Sequence, residues 1–147
     1  MAIDAGVLRI DAAATAGKIE AFIRDAVKNT FRRKGIVIGV SGGIDSAVAA
    51  ALSVRALGAE RVHGVILPER DSSPDSRRFA LQVIESLGIE HSEFEITAAL
   101  ETFGVYEKRD AVVRRYFPDV AIVPLEQEGA GTALGCKKFA PAIAPKG

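Results

Sequence analysis

Five residues in a row, Ile36-Val37-Ile38-Gly39-Val40, run straight into Ser41-Gly42-Gly43, and this junction constrains the chain more than any other feature. A continuous β-branched run is the pattern of a strand buried on both faces, as found in parallel sheets sandwiched by helices. The serine and the two glycines break that strand. Behind them Ile44 to Leu57 is apolar and rich in alanine, which predicts a helix packed against a sheet, with Gly58 as its stop. Strand, glycine turn and helix in direct succession open a βαβ unit.

The flanking sequence continues the alternation. Between Asp11 and Phe31, the residues Ile19, Phe22, Ile23, Ala26, Val27 and Phe31 recur at helical steps and predict one apolar stripe. Arg32-Arg33-Lys34 complements the end of that helix, and Gly35 is the expected stop. Val62 to Leu67 predicts a second strand ending at Pro68. Asp71-Ser72-Ser73-Pro74 reads as a loop and a helix start, and the helix carries Phe79, Ala80, Val83, Ile84 and Leu87 before Gly88. Ser92 to Ile96 predicts a third strand, with Phe94 and Ile96 facing one way. Thr97 or Thr102 begins further helix, and Val105 to Phe117 predicts a last helix closed by Pro118. The order α-β-α-β-α-β-α implies right-handed crossovers and an α/β fold, a doubly wound parallel sheet covered on both faces. Residues 1–118 form the expected domain, and residues 119–147, rich in Gly, Ala and Pro without a period, the expected weakly patterned tail.

Composition narrows the function classes. The chain has 147 residues, 48% hydrophobic and 26% charged, which fits one soluble globular domain and is too apolar for disorder. Its 19 basic and 19 acidic side chains cancel, which speaks against a protein that works by neutralising nucleic-acid backbones. The most apolar stretch, Ala47 to Val54, falls far short of the roughly 20 residues of a membrane helix. Met1-Ala2-Ile3-Asp4 lacks the basic start of a secretory signal, and the lone Cys136 cannot close an internal disulfide, so a soluble cytoplasmic protein without membrane or nucleic-acid partners is expected.

The chemistry concentrates in Gly39-Val40-Ser41-Gly42-Gly43-Ile44-Asp45-Ser46, at the C-terminal end of the first strand. Open α/β sheets bind ligands at that edge. Glycines let the backbone approach an anion, the unpaired amides of the following helix point at it, and Ser41 and Ser46 add hydroxyls. The P-loop pattern fails because no lysine follows the glycines, and the dinucleotide fingerprint fails because Ser41 stands where its second glycine belongs. Gly39 to Gly43 does match G-x-S-x-G, the elbow of serine hydrolases with Ser41 as nucleophile. That reading needs a histidine, and of the two available His63 falls inside the predicted second strand and His91 at the start of the third. It also leaves Asp45 unexplained. A carboxylate beside bound phosphate is repulsive unless a cation lies between, and Mg²⁺ takes one or two carboxylates plus phosphate oxygens.

Ser41-Gly42-Gly43-Ile44-Asp45-Ser46 resembles the SGGxDS signature of the N-type ATP pyrophosphatases, whose fold is Rossmann-like, of the adenine nucleotide alpha hydrolase type. The leading helix, Gly35 to Ser41, Gly64 to Pro74 and Val105 to Asp110 are similar to the NAD synthetase family, over about Ile10 to Pro118. The resemblance implies a carbon–nitrogen ligase that adenylates deamido-NAD with ATP, releases pyrophosphate and lets ammonia displace AMP to give NAD. It implies that Gly39, Val40, Ser41, Gly42, Gly43, Ile44, Asp45 and Ser46 line the ATP phosphates, that Asp45 binds Mg²⁺, and that Ile66 and Leu67 lie against the adenosine. No covalent nucleophile is implied. The family forms homodimers, and its catalytic domain carries a second acidic metal ligand, a lysine near the phosphates and deamido-NAD contacts that have no match here, so a truncated or frame-shifted chain is expected. No glutaminase-like segment matches either, which makes ammonia the expected nitrogen donor. The alternatives are a nucleotide-binding module without catalysis, a tRNA-modifying pyrophosphatase and the Ser41 hydrolase. Glu69-Arg70-Asp71 reads as a substrate contact or a solvated loop, Arg77-Arg78 and Arg114-Arg115 as solvated helix faces, and Cys136 as an inert thiol.

Overall fold

The computed structural model describes residues 9–118. Helix α1 (Ala12–Asp25) leads into strand β1 (Ile36–Gly39), helix α2 (Ile44–Leu57), strand β2 (Val62–Ile66), helix α3 (Pro74–Leu87), strand β3 (Glu90–Glu93) and the helices α4 (Thr97–Thr102) and α5 (Val105–Tyr116). The strands form one parallel sheet in the order β1-β2-β3. Ile36 pairs with Val62, and His63 with Glu90. The predicted α/β architecture is therefore present, with the glycine turn directly behind β1.

Local chemistry accounts for most element ends. Asp11 caps α1 by accepting from the Ala14 amide, and Ser73 caps α3 by accepting from Asp75, with Pro74 in the first helical turn. Gly58 and Gly88 stop α2 and α3 at positive φ, 93° and 63°, which glycine adopts without strain. The end of α1 departs from expectation. A π-helical turn, Ala26–Thr30, replaces the last α turn, the left-handed residue is Arg32 (φ 51°), and Gly35 serves instead where a side chain would strike the Arg61 carbonyl. A π turn rotates the residues after it relative to the α stripe. Ile23 and Val27, four residues apart, reach the core; Phe22 stays exposed on the regular helix before the π turn, and Phe31 stays exposed just after it. The single stripe predicted for this helix is split.

The core lies between one face of the sheet and α1–α3. Val62 and Ile66 of β2 pack with Val27, Leu57, Ala80 and Ile84, while Ile36 and Ile38 of β1 lean on the same cluster. Gly64 continues that face, where a side chain would press on Ile84. Because strand residues alternate, Val37, His63, Val65 and Ser92 occupy the opposite face. Val37 is 70% exposed there. The both-face burial read from the β-branched run is thus met on one face only among the described residues. β3 starts two residues before the predicted Ser92, and its Glu-His-Ser-Glu sequence marks a polar edge strand. The amides of Phe94 and Ile96 still bond the carbonyls of Ile66 and Pro68, at 3.0 Å each, so the chain keeps following β2 beyond the strand.

Burial sets the expected response to substitution. Ile84→Ala should destabilise the fold by about 2–5 kcal/mol, because it opens a cavity at the centre of the cluster. Val37→Ser should change stability by no more than about 0.5 kcal/mol. Urea unfolding of the two variants compares them directly.

Candidate functional site

β1 delivers the chain to the C-terminal edge of the sheet at Val40, which is buried and whose amide still bonds the Val65 carbonyl at 2.9 Å. The backbone must then turn into α2 within three residues. Gly42 makes the turn at φ 81°, and a Cβ on it would overlap the backbone carbonyl of Ser76 in the first turn of α3. Both facts demand glycine. Gly43 is different. Its φ is −84°, and a Cβ there would sit 3.5 Å from the Ser41 hydroxyl, an ordinary contact. The fold does not need Gly43, so its effect is to leave the backbone bare.

That bareness falls at a helix start. Gly43 is the N-cap of α2 and has no side chain to cap it, in contrast to Asp11 and Ser73. The first intrahelical bond runs from the Ala47 amide to the Gly43 carbonyl at 3.1 Å. The amides of Ile44, Asp45 and Ser46 therefore have no partner within the helix. The Gly43 amide meets only the Ser41 hydroxyl, at 3.4 Å. Ser46 ties the loop together: its hydroxyl donates to the Gly43 carbonyl at 2.9 Å and accepts from the Ser41 amide at 3.2 Å, and it lies 3.1 Å from the Ser41 hydroxyl. Two hydroxyls, a set of unpaired amides and the positive end of a helix dipole thus converge on one exposed spot, the arrangement that binds phosphate. Beside the loop a groove of about 440 Å³ runs between α2 and α3, lined by Ile44, Ala47, Phe79 and Val83 among others. None of its lining residues is charged, so the groove itself offers an anion no cationic side chain.

Asp45 projects from the first turn of α2, exposed and with no salt bridge or hydrogen bond among the described residues. No group of three or more His, Cys, Asp or Glu side chains that could hold a metal occurs among those residues. A cage built from protein side chains alone is therefore absent from them. The donor set instead suits a hard cation shared between one carboxylate and phosphate oxygens, which is how Mg²⁺ usually binds.

The other singled-out residues separate clearly. Ile66 is 4% exposed and faces the core, and its carbonyl is taken by Phe94, so Leu67, 49% exposed, is the accessible member of that pair. His63 bonds the Ser92 hydroxyl at 2.8 Å on the far face of the sheet, and His91 lies exposed on β3; neither meets Ser41, so the hydrolase reading has no base. Arg77 forms a two-pronged pair with Glu93, at 2.6 and 2.8 Å, which raises the arginine and lowers the carboxylate in pKa through that shared hydrogen bond. Arg78 pairs with Asp75, and Arg114 and Arg115 lie exposed on α5. Cys136 lies outside the described residues.

Glu69-Arg70-Asp71 is not a free loop. Residues of α4 and α5 grip it: the Tyr106 hydroxyl donates to Glu69 at 2.6 Å, Thr97 accepts from the Arg70 amide at 2.8 Å, and Arg109 donates to Asp71 at 2.5 Å. Sequence reasoning missed Thr97, Tyr106 and Arg109 as partners of this loop. Their separations of 27, 37 and 38 residues carry no local signal. Burial and the bond to Glu69 raise the Tyr106 pKa, and the bond to Asp71 is the main cause of a raised Arg109.

Comparison with known proteins agrees with this geometry. The sequence profile of the NAD synthase family matches residues 15–115. The NH(3)-dependent NAD(+) synthetase of Rhizobium rhizogenes is 44% identical over 117 residues, which cover 80% of this chain and 35% of the relative. That of Thermotoga maritima is 44% identical over 102 residues, covering 65% of this chain and 36% of the relative. The solved NMN synthetase from Francisella tularensis superposes with a TM-score of 0.60 at 35% identity, over 69% of this chain and 41% of its own. The NH3-dependent NAD synthetase from Campylobacter jejuni gives a TM-score of 0.60 at 30% identity, over 73% and 52%. The chain spans about a third of the length of the curated relatives it matches. The matched region contains the sheet, its helices and the bare glycine loop, and on that ground the chain belongs to the NAD synthase family.

Proposed function

We propose that this chain carries the ATP-handling part of an ammonia-dependent NAD synthetase, the ligase that turns deamido-NAD into NAD. The observation that supports it best is the uncapped start of α2 behind β1, where the amides of Ile44, Asp45 and Ser46 and the hydroxyls of Ser41 and Ser46 converge beside an unpaired Asp45. In this reading Gly39 to Ser46 cradle the ATP phosphates, with Ser41, Gly42, Gly43 and Ser46 nearest the pyrophosphate that leaves. Negative charge grows on that pyrophosphate as the carboxylate of deamido-NAD is adenylated. Amides and a helix dipole already aimed at it stabilise the charge without reorganising, and no side chain has to form a bond to substrate. Asp45 would hold Mg²⁺, which supplies charge neutralisation between the carboxylate and the phosphates when bound. Leu67 would lie against the adenosine, beside Ile66. Ammonia is the nitrogen donor and a homodimer the expected assembly, as the family resemblance implies.

A second reading, nucleotide binding without ligation, draws on the coverage of about a third of the curated relatives. Exchange of labelled pyrophosphate into ATP in the presence of deamido-NAD separates the two. Exchange requires adenylation, so a chain that binds ATP but shows no exchange would support the second reading. A chain that fails to bind ATP by calorimetry would overturn both. Asp45→Asn should weaken ATP binding in the presence of Mg²⁺ and leave the weaker binding in excess chelator almost unchanged. Gly42→Ala should cost at least about 1 kcal/mol of stability and abolish ATP binding, because the left-handed turn and the Ser76 contact exclude a side chain. Gly43→Ala should fold normally and lose part of the affinity by covering bare backbone.

A further inference from the structure

The helices α4 and α5 attach to the rest of the fold in an unusual way. No residue of either belongs to the hydrophobic core cluster, α4 buries nothing, and α5 buries only Tyr106, which is 6% exposed. The attachment is a polar cluster centred on that tyrosine. Its hydroxyl donates to Glu69, its ring lies 3.6 Å beneath the Arg70 guanidinium, and the Arg109 guanidinium stands 5.3 Å from the same ring while gripping Asp71. Glu101 adds a bond to Arg70 at 2.9 Å. Apart from the Arg109–Tyr106 pair within α5, these contacts end on three consecutive residues of the loop leaving β2. Exposed ion pairs alone contribute little, but here the phenol is buried and the cation lies over its face, which strengthens both contacts.

The loop so held leads to the glycine cradle. Glu69 accepts into a turn closed by Ser72, Ser73 caps α3, and the Ser76 carbonyl abuts Gly42. Four residues separate the gripped Asp71 from the Ser76 backbone, so the clamp connects to the cradle through one short stretch of chain and the Ser76–Gly42 contact. We propose that Tyr106, together with Arg109, is a positioning residue for nucleotide binding: by holding Glu69, Arg70 and Asp71 it fixes the loop that sets the first turn of α3, whose Ser76 carbonyl packs against Gly42 of the cradle. The inference rests on the ATP site proposed above. A loop already fixed in its bound form loses less entropy when ligand arrives, so releasing it lowers affinity without removing any contact to ligand.

Calorimetric titration of the whole chain with ATP and Mg²⁺ tests this, alongside thermal melting of each variant. Tyr106→Phe keeps the ring under Arg70 and removes the bond to Glu69; Arg109→Ala releases Asp71. Each should weaken ATP binding roughly threefold to tenfold, the scale of one lost side-chain hydrogen bond. Arg109→Lys should recover part of that loss, and the double variant should lose less than the product of the singles, because both act on one loop. Wild-type affinity in Tyr106→Phe and Arg109→Lys with a lowered melting temperature would mean that the cluster only stabilises α4 and α5, which overturns the positioning role and leaves the ATP site intact. Absence of ATP binding by the wild-type chain would overturn the site and this inference together. If Arg109→Ala does not fold, the comparison of Tyr106→Phe with Arg109→Lys decides.

Discussion

The approach of the Gly42 backbone to the Ser76 carbonyl is the contact on which the site depends. It joins the turn after β1 to the first turn of α3, so the ends of two neighbouring βα connections sit against each other at one edge of the sheet. A side chain at Gly42 would force them apart, and the positive φ there would be strained in any case. With the contact in place, α2 must begin immediately after the turn, and its first amides are left without partners. The cradle thus lies where two loops pack closely, and the donors that converge on it are backbone amides and the Ser41 and Ser46 hydroxyls.

A chain with no net charge can therefore still present a geometry suited to an anion. Among the described residues many cations are committed elsewhere: Arg55 to Glu20, Arg70 to Glu101, Arg77 to Glu93, Arg78 to Asp75 and Arg109 to Asp71. Charge is balanced locally, and the field at the loop comes from oriented backbone dipoles. The same pairs organise the periphery. They connect α1 to α2, α3 to β3 and α5 to the loop after β2, whereas the apolar cluster holds only α1–α3 against one side of the sheet.

The parts of the fold that were legible beforehand are those set by short-range rules. The β-branched run located β1, the glycines at 58 and 88 located the ends of α2 and α3, and Ser73-Pro74 located the start of α3. The parts that were not legible depend on distant atoms. The π turn at Ala26–Thr30 shifts Phe31 off the stripe, and nothing local announces it. Glu90 and His91 look like loop residues, yet they pair because His63 and Gly64 of β2 present the matching register. Val37 belongs to a run with the composition of a strand buried on both sides, yet its own face is open and it is 70% exposed.

The order of residues alone is enough for the alternation of strands and helices, the place of the turn and the residue types of SGGIDS, because caps, propensities and glycine conformations act over a few residues. It takes the packing of distant elements to make Gly42 indispensable to the fold while Gly43 is not, to turn Ile66 to the core while Leu67 stays open, and to bring Tyr106 and Arg109 back to Glu69 and Asp71. Those facts depend on which surfaces meet when β1 and β2 pair, and residues some forty positions apart carry no mark of one another until the sheet brings them together.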